Sequence, residues 1–173
     1  MKVKARAKKI KMLALDIDGV LTDGRIIYDN QGNELKCFNV LDGMGLALLK
    51  KTPIKVVLIS AKGSQAVLRR AKDIGAVEVR QEAQDKLAEL KRIIAKYKIS
   101  LDEVCFVGDD LADLPVLKRV GLAATVKGAC AEAKKCAHYI AKRPGGEGAV
   151  REVIELILRA QNIWGRLIKL YTF

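Results

Sequence analysis

The sequence predicts a doubly wound α/β fold, in which helices cover both faces of a mainly parallel sheet. Short apolar runs rich in β-branched residues alternate with stretches whose apolar residues recur at helical spacing. The chain has 173 residues, of which 50% belong to the AVILMFWYC set and 30% are charged. This size and balance suit one domain with a sizeable core and exclude a disordered or collagen-like chain.

Six segments have the composition of strands in this sheet. They are residues 11–15, 55–59, 77–80, 104–107, 122–125 and a short edge at 138–140. Four helices are predicted: 43–51 capped by Asp42, 64–73 capped by Ser64 and stopped by Gly75, one that starts at Asp85, and 148–162. The strands and helices therefore alternate, as a parallel sheet requires.

One stretch breaks this alternation. Residues 25–29 and 34–38 flank Asn30-Gln31-Gly32-Asn33, which has the composition of a turn between two extended segments. We expect a β-hairpin that follows the first strand, at the edge where open α/β sheets bind ligands. The sequence leaves open whether it is a flap over a site or an ordinary surface hairpin.

The net charge of +12 is concentrated at the two ends of the chain. Residues 1–11 hold six lysines and arginines and residues 159–173 hold three, neither segment contains an acid, and only +3 remains for 12–158. With 5% aromatic residues as well, this excludes a basic, base-stacking groove, so we expect no nucleic-acid partner. We expect a basic extension over 1–9, a domain over 10–158 and a second extension over 159–173.

The cysteines and the apolar runs predict a cytoplasmic protein. The four cysteines form no CxxC pair and have the pattern of reduced thiols. No apolar run is long enough for a membrane span, and Asp16 and Asp18 interrupt the one that follows the basic N-terminus. We therefore expect neither a signal peptide nor membrane insertion.

Acidic residues follow two of the predicted strands. Asp16 and Asp18 come directly after residues 11–15, and Asp109 and Asp110, with Asp113 three residues on, come after 104–107. Because parallel strands all end at the same edge of a sheet, both clusters are predicted to meet there. Gathered carboxylates repel one another and call for a cation, and their hard oxygen atoms suit Mg²⁺.

Two further groups are predicted at the same edge. Ser60 follows the strand 55–59, and its hydroxyl could donate to a phosphoryl oxygen. Lys86 opens the helix after Asp85, where its ammonium could reach an anion. Each residue taken alone is more typical of an ordinary turn or a solvated surface.

Taken in order, these motifs resemble the haloacid dehalogenase superfamily of phosphotransferases. The motifs are Asp16-x-Asp18-Gly-Val-x-Thr22, Ser60, Lys86 and Gly108-Asp109-Asp110-x-x-Asp113. Further stretches, at 21–24, 38–43 and 142–152, resemble the cap-less 3-deoxy-manno-octulosonate 8-phosphate phosphatases of that superfamily. The resemblance covers about residues 10–158 and implies a Rossmann-like core with a hairpin flap and no cap domain.

The resemblance implies a role for each residue of the acidic edge. Asp16 would be the nucleophile that forms an aspartyl-phosphate, and Asp18 the general acid and base. Mg²⁺ would be held by the carboxylates of Asp16 and Asp109 and by the backbone carbonyl of Asp18, with Asp110 and Asp113 supporting the ligands. Ser60 and Lys86 would bind the oxygens of the transferring phosphoryl group.

The resemblance also implies the substrate and the assembly. The substrate would be a sugar acid phosphate of lipopolysaccharide biosynthesis, the octulosonate 8-phosphate, with a nonulosonate 9-phosphate as the alternative. Its contacts would be Asp18, Asn39, Asp42, Gly43, Lys62, Arg70, Lys86 and Arg143. The chain departs from the family pattern in Ser60-Ala61-Lys62, where Thr-Gly-Arg is common, and at Leu41, where Arg is common. A homotetramer with the hairpins at its centre is expected.

Two other function classes fit parts of the sequence. A phosphorylatable receiver domain also combines clustered aspartates, Mg²⁺, a hydroxyl and a lysine, but its phosphoacceptor would follow the third strand, where this chain has Arg80-Gln81. A binding protein with basic ends on an inert domain is disfavoured by the pair Asp16 and Asp18. The sequence therefore favours a Mg²⁺-dependent phosphatase.

Overall fold

The fold was obtained as a computed structural model and is described for residues 2–172. Its strands are β1 (Met12–Leu15), β2 (Ile27–Tyr28), β3 (Glu34–Leu35), β4 (Lys55–Ile59), β5 (Glu78–Arg80), β6 (Val104–Val107), β7 (Leu122–Thr125) and β8 (Tyr139–Ile140). Six of them form a parallel sheet in the order β5-β4-β1-β6-β7-β8, and β2 pairs with β3 alone. The predicted α/β fold class is confirmed.

Helices cover both faces of this sheet. They are α1 (Val3–Ala7), α2 (Val40–Leu49), α3 (Gln65–Ile74), α4 (Lys86–Tyr97), α5 (Leu114–Leu117), α6 (Ala131–Cys136), α7 (Ala149–Ala160) and α8 (Trp164–Ile168). Short 3-10 turns at Leu101–Glu103 and Leu111–Asp113 flank β6. All four residues of β1 are buried, as an apolar strand covered on both faces should be.

The register of the sheet brings the predicted site together. Leu15, the last residue of β1, pairs with Leu58 of β4 on one side and with Val107 of β6 on the other. The residues that follow these strands therefore emerge side by side at one edge. This is the arrangement that the two acidic clusters require.

The hairpin forms where the sequence predicts it, with shorter strands. Ile27 pairs with Leu35 and Tyr28 with Glu34. Asp29 closes the turn, because its Oδ1 accepts hydrogen bonds from the backbone N–H groups of Gln31 and Asn33, both at 2.8 Å. The flanking extended residues have no strand partner, so only two residues on each side are paired.

The predicted cap of α2 is wrong. The helix begins at Val40, and its N-cap is Asn39, whose Oδ1 accepts the N–H of Leu41 at 2.8 Å. Asp42 lies inside the first turn, fully buried, and its Oδ1 accepts the N–H of Arg151 in α7 at 2.8 Å. The carboxylate of Asp42, which the local sequence predicts as a helix cap, thus accepts a hydrogen bond from a distant helix instead.

Both basic ends of the chain contact the body. Ala7 and Leu167 are buried, and Arg6 Nη1 donates to the carbonyl of Gly121 at 2.6 Å. The guanidinium of Arg151 in α7 lies 5.4 Å from the ring centroid of Trp164 in α8. The division at residues 9 and 158 stays a prediction. In the described part of the chain, no helix has the length and apolar character needed to cross a membrane.

The helix caps give a test of the local structure. Asp85 accepts the N–H groups of Leu87 and Ala88 at the start of α4, whereas Ser64 makes no side-chain bond at the start of α3. We expect Asp85→Ala to lower the free energy of unfolding by about 1 kcal/mol and Ser64→Ala to change it by less than about 0.5 kcal/mol. Urea unfolding at fixed pH measures both, and an equal effect of the two substitutions would contradict the capping geometry.

Candidate active site

A cleft of about 180 Å³ opens at the carboxyl ends of β1, β4 and β6. Its lining residues are Asp16, Asp18, Ser60, Ala61, Lys62, Lys86, Asp109, Asp110, Ala112 and Asp113. Every residue predicted to carry the chemistry, the metal or the phosphoryl group lies here. The cleft is smaller than a cavity at the opposite edge of the sheet, but it is the one that gathers the carboxylates.

A glycine allows the two acidic segments to approach each other. Gly19 has φ +87°, and a Cβ atom placed on it would lie 2.1 Å from Asp109 Oδ2. A larger residue there would therefore push the β1 loop away from β6. Thr22 holds the same loop, because its Oγ1 accepts the N–H groups of Gly19 and Gly24, both at 3.3 Å.

Lys86 lies at the centre of the cleft. Its Nζ is 2.8 Å from Asp16 Oδ1 and 2.7 Å from Asp113 Oδ1, and the side chain is buried. Burial alone would lower the pKa of Lys86, but the charges of Asp16 and Asp113 raise it above its ordinary value. The lysine is therefore a fixed cation, and two of its three donors hold carboxylates.

The carboxylates hold their charge at a cost in free energy. Burial, followed by the charge of Asp113, raises the pKa of Asp16 to about 6, although Lys86 acts in the opposite sense. Burial and the charges of Asp16, Asp113 and Asp110 raise the pKa of Asp109 to about 7. Asp109 Oδ1 is also buried without a hydrogen-bond partner among the described residues. Both observations indicate that a further cation belongs in the cleft.

The positions of the oxygen atoms fit a divalent ion. Asp16, Asp109 and Asp113 each offer one carboxylate oxygen, and these atoms lie within 4.8 Å of one another. Asp113 is already used, because its Oδ1 accepts from Lys86 and its Oδ2 accepts the backbone N–H groups of Asp109 and Asp110. This agrees with the predicted supporting role of Asp113, and the carboxylates of Asp16 and Asp109 remain the candidate ligands. Hard carboxylate oxygens suit Mg²⁺.

Sequence reasoning missed Lys36, which reaches the cleft from the hairpin. Its Nζ lies 2.5 Å from Asp18 Oδ1 and 2.8 Å from Glu34 Oε1, and its side chain is 2% exposed. Glu34 and Lys36 alternate along one extended segment and so share a face. This alternation is the feature of the sequence from which a charged pair on one face of the hairpin could have been predicted. The hairpin is thus tied directly to the residue predicted as general acid and base.

Ser60 and Lys62 also line the cleft. Ser60 is buried, and its Oγ accepts the backbone N–H of Lys62 at 3.1 Å. Since this bond uses the oxygen as acceptor, the hydroxyl proton remains available to a ligand. Lys62 is exposed at the mouth of the cleft.

Five residues predicted to bind substrate lie outside the cleft. They are Asn39, Asp42, Gly43, Arg70 and Arg143. Arg70 Nη2 donates to the carbonyl of Asn39 at 3.1 Å, and Arg143 Nη1 donates to that of Glu147 at 3.3 Å. Burial raises the pKa of Asp42, which has a structural partner in α7. Their contact with substrate stays a prediction.

A glycine pair connects this second group to the cleft. Gly146 donates its N–H to the carbonyl of Val20 and accepts from Asn39 Nδ2 at 3.0 Å. A Cβ atom on Gly145 would lie 1.8 Å from the carbonyl oxygen of Gly19. The loop that carries Arg143 is therefore packed against the loop that carries Asp16 and Asp18.

Comparison with known proteins agrees with this geometry. The haloacid dehalogenase-like hydrolase family matches residues 54–154. The chain is 41% identical over 157 residues to the 3-deoxy-D-manno-octulosonate 8-phosphate phosphatase KdsC of Yersinia pestis, covering 91% of this chain and 84% of the relative. It is 40% identical over 160 residues to the KdsC of Escherichia coli K12, covering 92% and 85%.

Solved structures agree as well. The phosphatase of Moraxella catarrhalis, in complex with magnesium, phosphate and KDO, superposes with a TM-score of 0.96 at 40% identity and 98% coverage of both chains. The cobalt-bound enzyme of Haemophilus influenzae superposes with a TM-score of 0.87 at 31% identity, covering 91% of this chain and 92% of that one. The fold and the carboxylate cleft thus define a hydrolase of the haloacid dehalogenase class. Within that class, the chain belongs to the family of 3-deoxy-D-manno-octulosonate 8-phosphate phosphatases.

Removal of one charge from the cluster tests the electrostatics of the cleft. Because the pKa of Asp109 is raised from 3.8 to about 7, ionisation of this group opposes folding once the pH exceeds 3.8, and the effect is complete above about pH 7. In EDTA, Asp109→Asn should therefore stabilise the protein, by roughly 1–2 kcal/mol more at pH 8 than at pH 5, after allowance for solvent screening.

Unfolding in urea at both pH values measures this difference. Addition of Mg²⁺ should raise the melting temperature of the unchanged protein and leave that of Asp109→Asn nearly unaffected. The control is Asp102→Asn, which removes an exposed carboxylate away from the cleft. Equal stabilisation of Asp109→Asn at the two pH values would contradict the raised pKa.

Proposed function

We propose that this protein is a Mg²⁺-dependent phosphatase that hydrolyses 3-deoxy-D-manno-octulosonate 8-phosphate to the free sugar acid and phosphate. The observation that carries the proposal is the convergence of Asp16, Asp18, Lys86 and Asp109 in one cleft. It is supported by relatives of that name at 40–41% identity and by a neighbour solved with magnesium, phosphate and KDO. The reaction is the hydrolysis of a phosphoric monoester.

The first half of the proposed reaction forms a covalent intermediate. A carboxylate oxygen of Asp16 attacks the phosphorus atom, and the bond between phosphorus and the sugar oxygen breaks. Asp18, two residues further on, donates a proton to the departing oxygen. Lys86 holds Asp16 through Oδ1, so the nucleophile is oriented before substrate arrives.

The second half releases phosphate. Asp18, now ionised, takes a proton from a water molecule whose oxygen attacks the phosphorus atom of the intermediate. The bond between phosphorus and Asp16 breaks, which restores the carboxylate. One residue thus acts first as acid and then as base, and this requires a carboxyl group that can reach both the leaving oxygen and the water.

Fixed donors meet the charge of the transferring group. Lys86 and Ser60 line the cleft and are both buried from solvent, and each has a donor that no carboxylate uses: the third N–H of the ammonium and the hydroxyl proton. In the proposal they bind the oxygens of the phosphoryl group, and donors already in place need no reorganisation during the reaction.

In the proposal Mg²⁺ is held by the carboxylates of Asp16 and Asp109 and by the backbone carbonyl of Asp18. When bound, it supplies positive charge that offsets the repulsion between the phosphate and these aspartates. Asp110 and Asp113 keep the loop of Asp109 in place: Asp110 Oδ1 accepts the N–H of Leu111 at 2.8 Å, and Asp113 Oδ2 accepts that of Asp109. We also propose a cytoplasmic location, where the four free cysteines stay reduced.

A phosphate-release assay tests the function. The purified protein with Mg²⁺ should hydrolyse octulosonate 8-phosphate, and excess EDTA should abolish the activity. Asp16→Asn should lose at least about 10³-fold in kcat with an unchanged circular dichroism spectrum, because the nucleophile is lost. As a control, Asp73→Asn removes an exposed carboxylate near the end of α3 and should leave kcat unchanged.

The same assay decides between substrates. Rates with nonulosonate 9-phosphate should be lower than with the octulosonate ester. Lys62 retains a cation where the family commonly has arginine but lacks its bidentate fork, so this departure bears on sugar recognition and not on phosphoryl transfer. A chain that hydrolyses neither ester with Mg²⁺, or an Asp16→Asn variant that stays active, would overturn the proposal.

We propose in addition that the chain assembles as a homotetramer through its hairpin. Ile26, Tyr28 and Leu35 are 53%, 66% and 50% exposed. Apolar side chains of this size on one small element are typical of a surface that another protein chain covers. Lys36, on the same hairpin, contacts Asp18, so the assembly surface adjoins the cleft.

Substitution on the hairpin tests the assembly. Ile26→Ser with Tyr28→Ser should convert the tetramer to smaller species, because the contact surface becomes polar. The matched control is Leu68→Ser with Val77→Ser, two exposed apolar residues elsewhere on the chain. Analytical ultracentrifugation of both variants measures the change. A monomeric unchanged protein would refute the proposed assembly and leave the proposed reaction intact.

A further inference from the structure

A cavity of about 610 Å³ lies at the edge of the sheet opposite the catalytic cleft. It is bounded by the amino ends of β1 and β4, by the end of α4 and by the segment that leads from α1 into β1. Asp16 lies five positions after Lys11, which is at the rim of the cavity, and at about 3.3 Å per residue the two sites are roughly 16 Å apart. The cavity therefore takes no part in the proposed reaction.

Positive charge dominates the walls of this cavity. Five lysines line it, namely Lys8, Lys9, Lys11, Lys55 and Lys98. The one acid among the lining residues, Glu103, is 2.5 Å from Lys11 and is thereby neutralised. Three of the six basic residues in 1–11 thus surround one cavity, together with Lys55 and Lys98 from distant parts of the chain.

Helix capping does not account for these lysines. Lys98 follows α4, and its backbone N–H and that of Ile99 donate to the carbonyls of Ala95 and Ile94, at 3.2 and 3.0 Å, whereas its side chain bonds no carbonyl of the helix. Lys9 and Lys11 lie in a connecting segment, and Lys55 begins a strand. In the described part of the chain, Lys8, Lys9 and Lys98 make no side-chain hydrogen bond or ion pair. Three unpaired ammonium groups around one concavity give it a positive potential, which suits an anion.

The floor of the cavity is apolar. Ile10 and Ile54 are buried beneath it, and Pro53 and Tyr97 form its sides. The ammonium of Lys55 lies 5.0 Å from the ring centroid of Tyr97. A volume of this size with an apolar floor and a few charged groups is typical of a small-ligand site, whereas a flat basic surface would suit a membrane or a nucleic-acid backbone.

We propose that this cavity binds a small polyphosphate anion, with a nucleoside di- or triphosphate and inorganic polyphosphate as the two sources of that chemistry. The adjacent phosphates contact the lysines. In a nucleotide, the base lies on the apolar floor beside Tyr97. The inference does not rest on the proposed phosphatase activity, since none of its residues lies in the catalytic cleft.

Calorimetric titration of the Asp16→Asn protein in EDTA tests the proposal, because hydrolysis and metal-mediated binding at the cleft are then both absent. ATP and tripolyphosphate are the probes, and inorganic phosphate is the single-charge comparison. The triple variant Lys8→Gln, Lys9→Gln, Lys98→Gln should bind tripolyphosphate at least about tenfold more weakly, because each lost ammonium group lowers the affinity roughly two- to threefold. Higher salt should weaken binding in the same direction.

The matched control replaces three other exposed lysines by glutamine, Lys91, Lys118 and Lys135, which changes the net charge by the same amount. It should bind as the unchanged protein does. If the ligand is a nucleotide, Tyr97→Leu should weaken the binding of ATP and leave that of tripolyphosphate unchanged. If the phosphates alone account for binding, Tyr97→Leu should leave the binding of both probes unchanged. No measurable binding of either polyphosphate, or equal weakening by the two triple variants, would overturn the proposal.

Discussion

The buried ammonium of Lys86 is the interaction on which the site depends. It contacts Asp16 after β1 and Asp113 in the turn after β6, so it joins the two strand ends that carry the acids. Without this cation, the buried carboxylates of Asp16 and Asp113 and the half-buried one of Asp109 would face one another, and the raised pKa values of Asp16 and Asp109 would rise further. The helix start at Asp85 fixes the lysine, because the carboxylate of Asp85 caps α4.

Close backbone packing then sets the distances. Gly19 lets Asp109 approach the β1 loop, and Gly108 lies where a Cβ atom would meet the Asp113 side chain at 2.5 Å. Gly145 and Gly146 bring a third loop onto the same residues. A side chain at Gly19 or Gly108 would displace a carboxylate, and one at Gly145 would displace backbone, so the glycines set the positions of the carboxylates together with the ion pairs.

The sheet and the cleft could be predicted from sequence because their signals are local. Apolar runs define the strands, and the parallel order of the sheet then brings Asp16, Asp109 and Lys86 together without further information. Asp42 could not be assigned, since an acid near a helix start has the same local pattern whether it caps the helix or accepts a bond from Arg151 in a distant one. Lys36 was missed because its partner, Asp18, is eighteen residues away and depends on how the hairpin folds back.

The two edges of the sheet carry opposite charge, and part of the basic excess of the chain lies at one of them. At the carboxyl edge, acids outnumber the buried Lys86, which suits a cation. At the amino edge, lysines surround a cavity in which the one carboxylate is already paired. The sequence assigned the excess charge to extensions outside the domain, yet Lys8 and Lys9 lie beside Lys55 and Lys98 of its body. The five lysines and the one glutamate at this cavity account for +4 of the net charge of +12, and the proposed polyphosphate site gives that part of the excess a role.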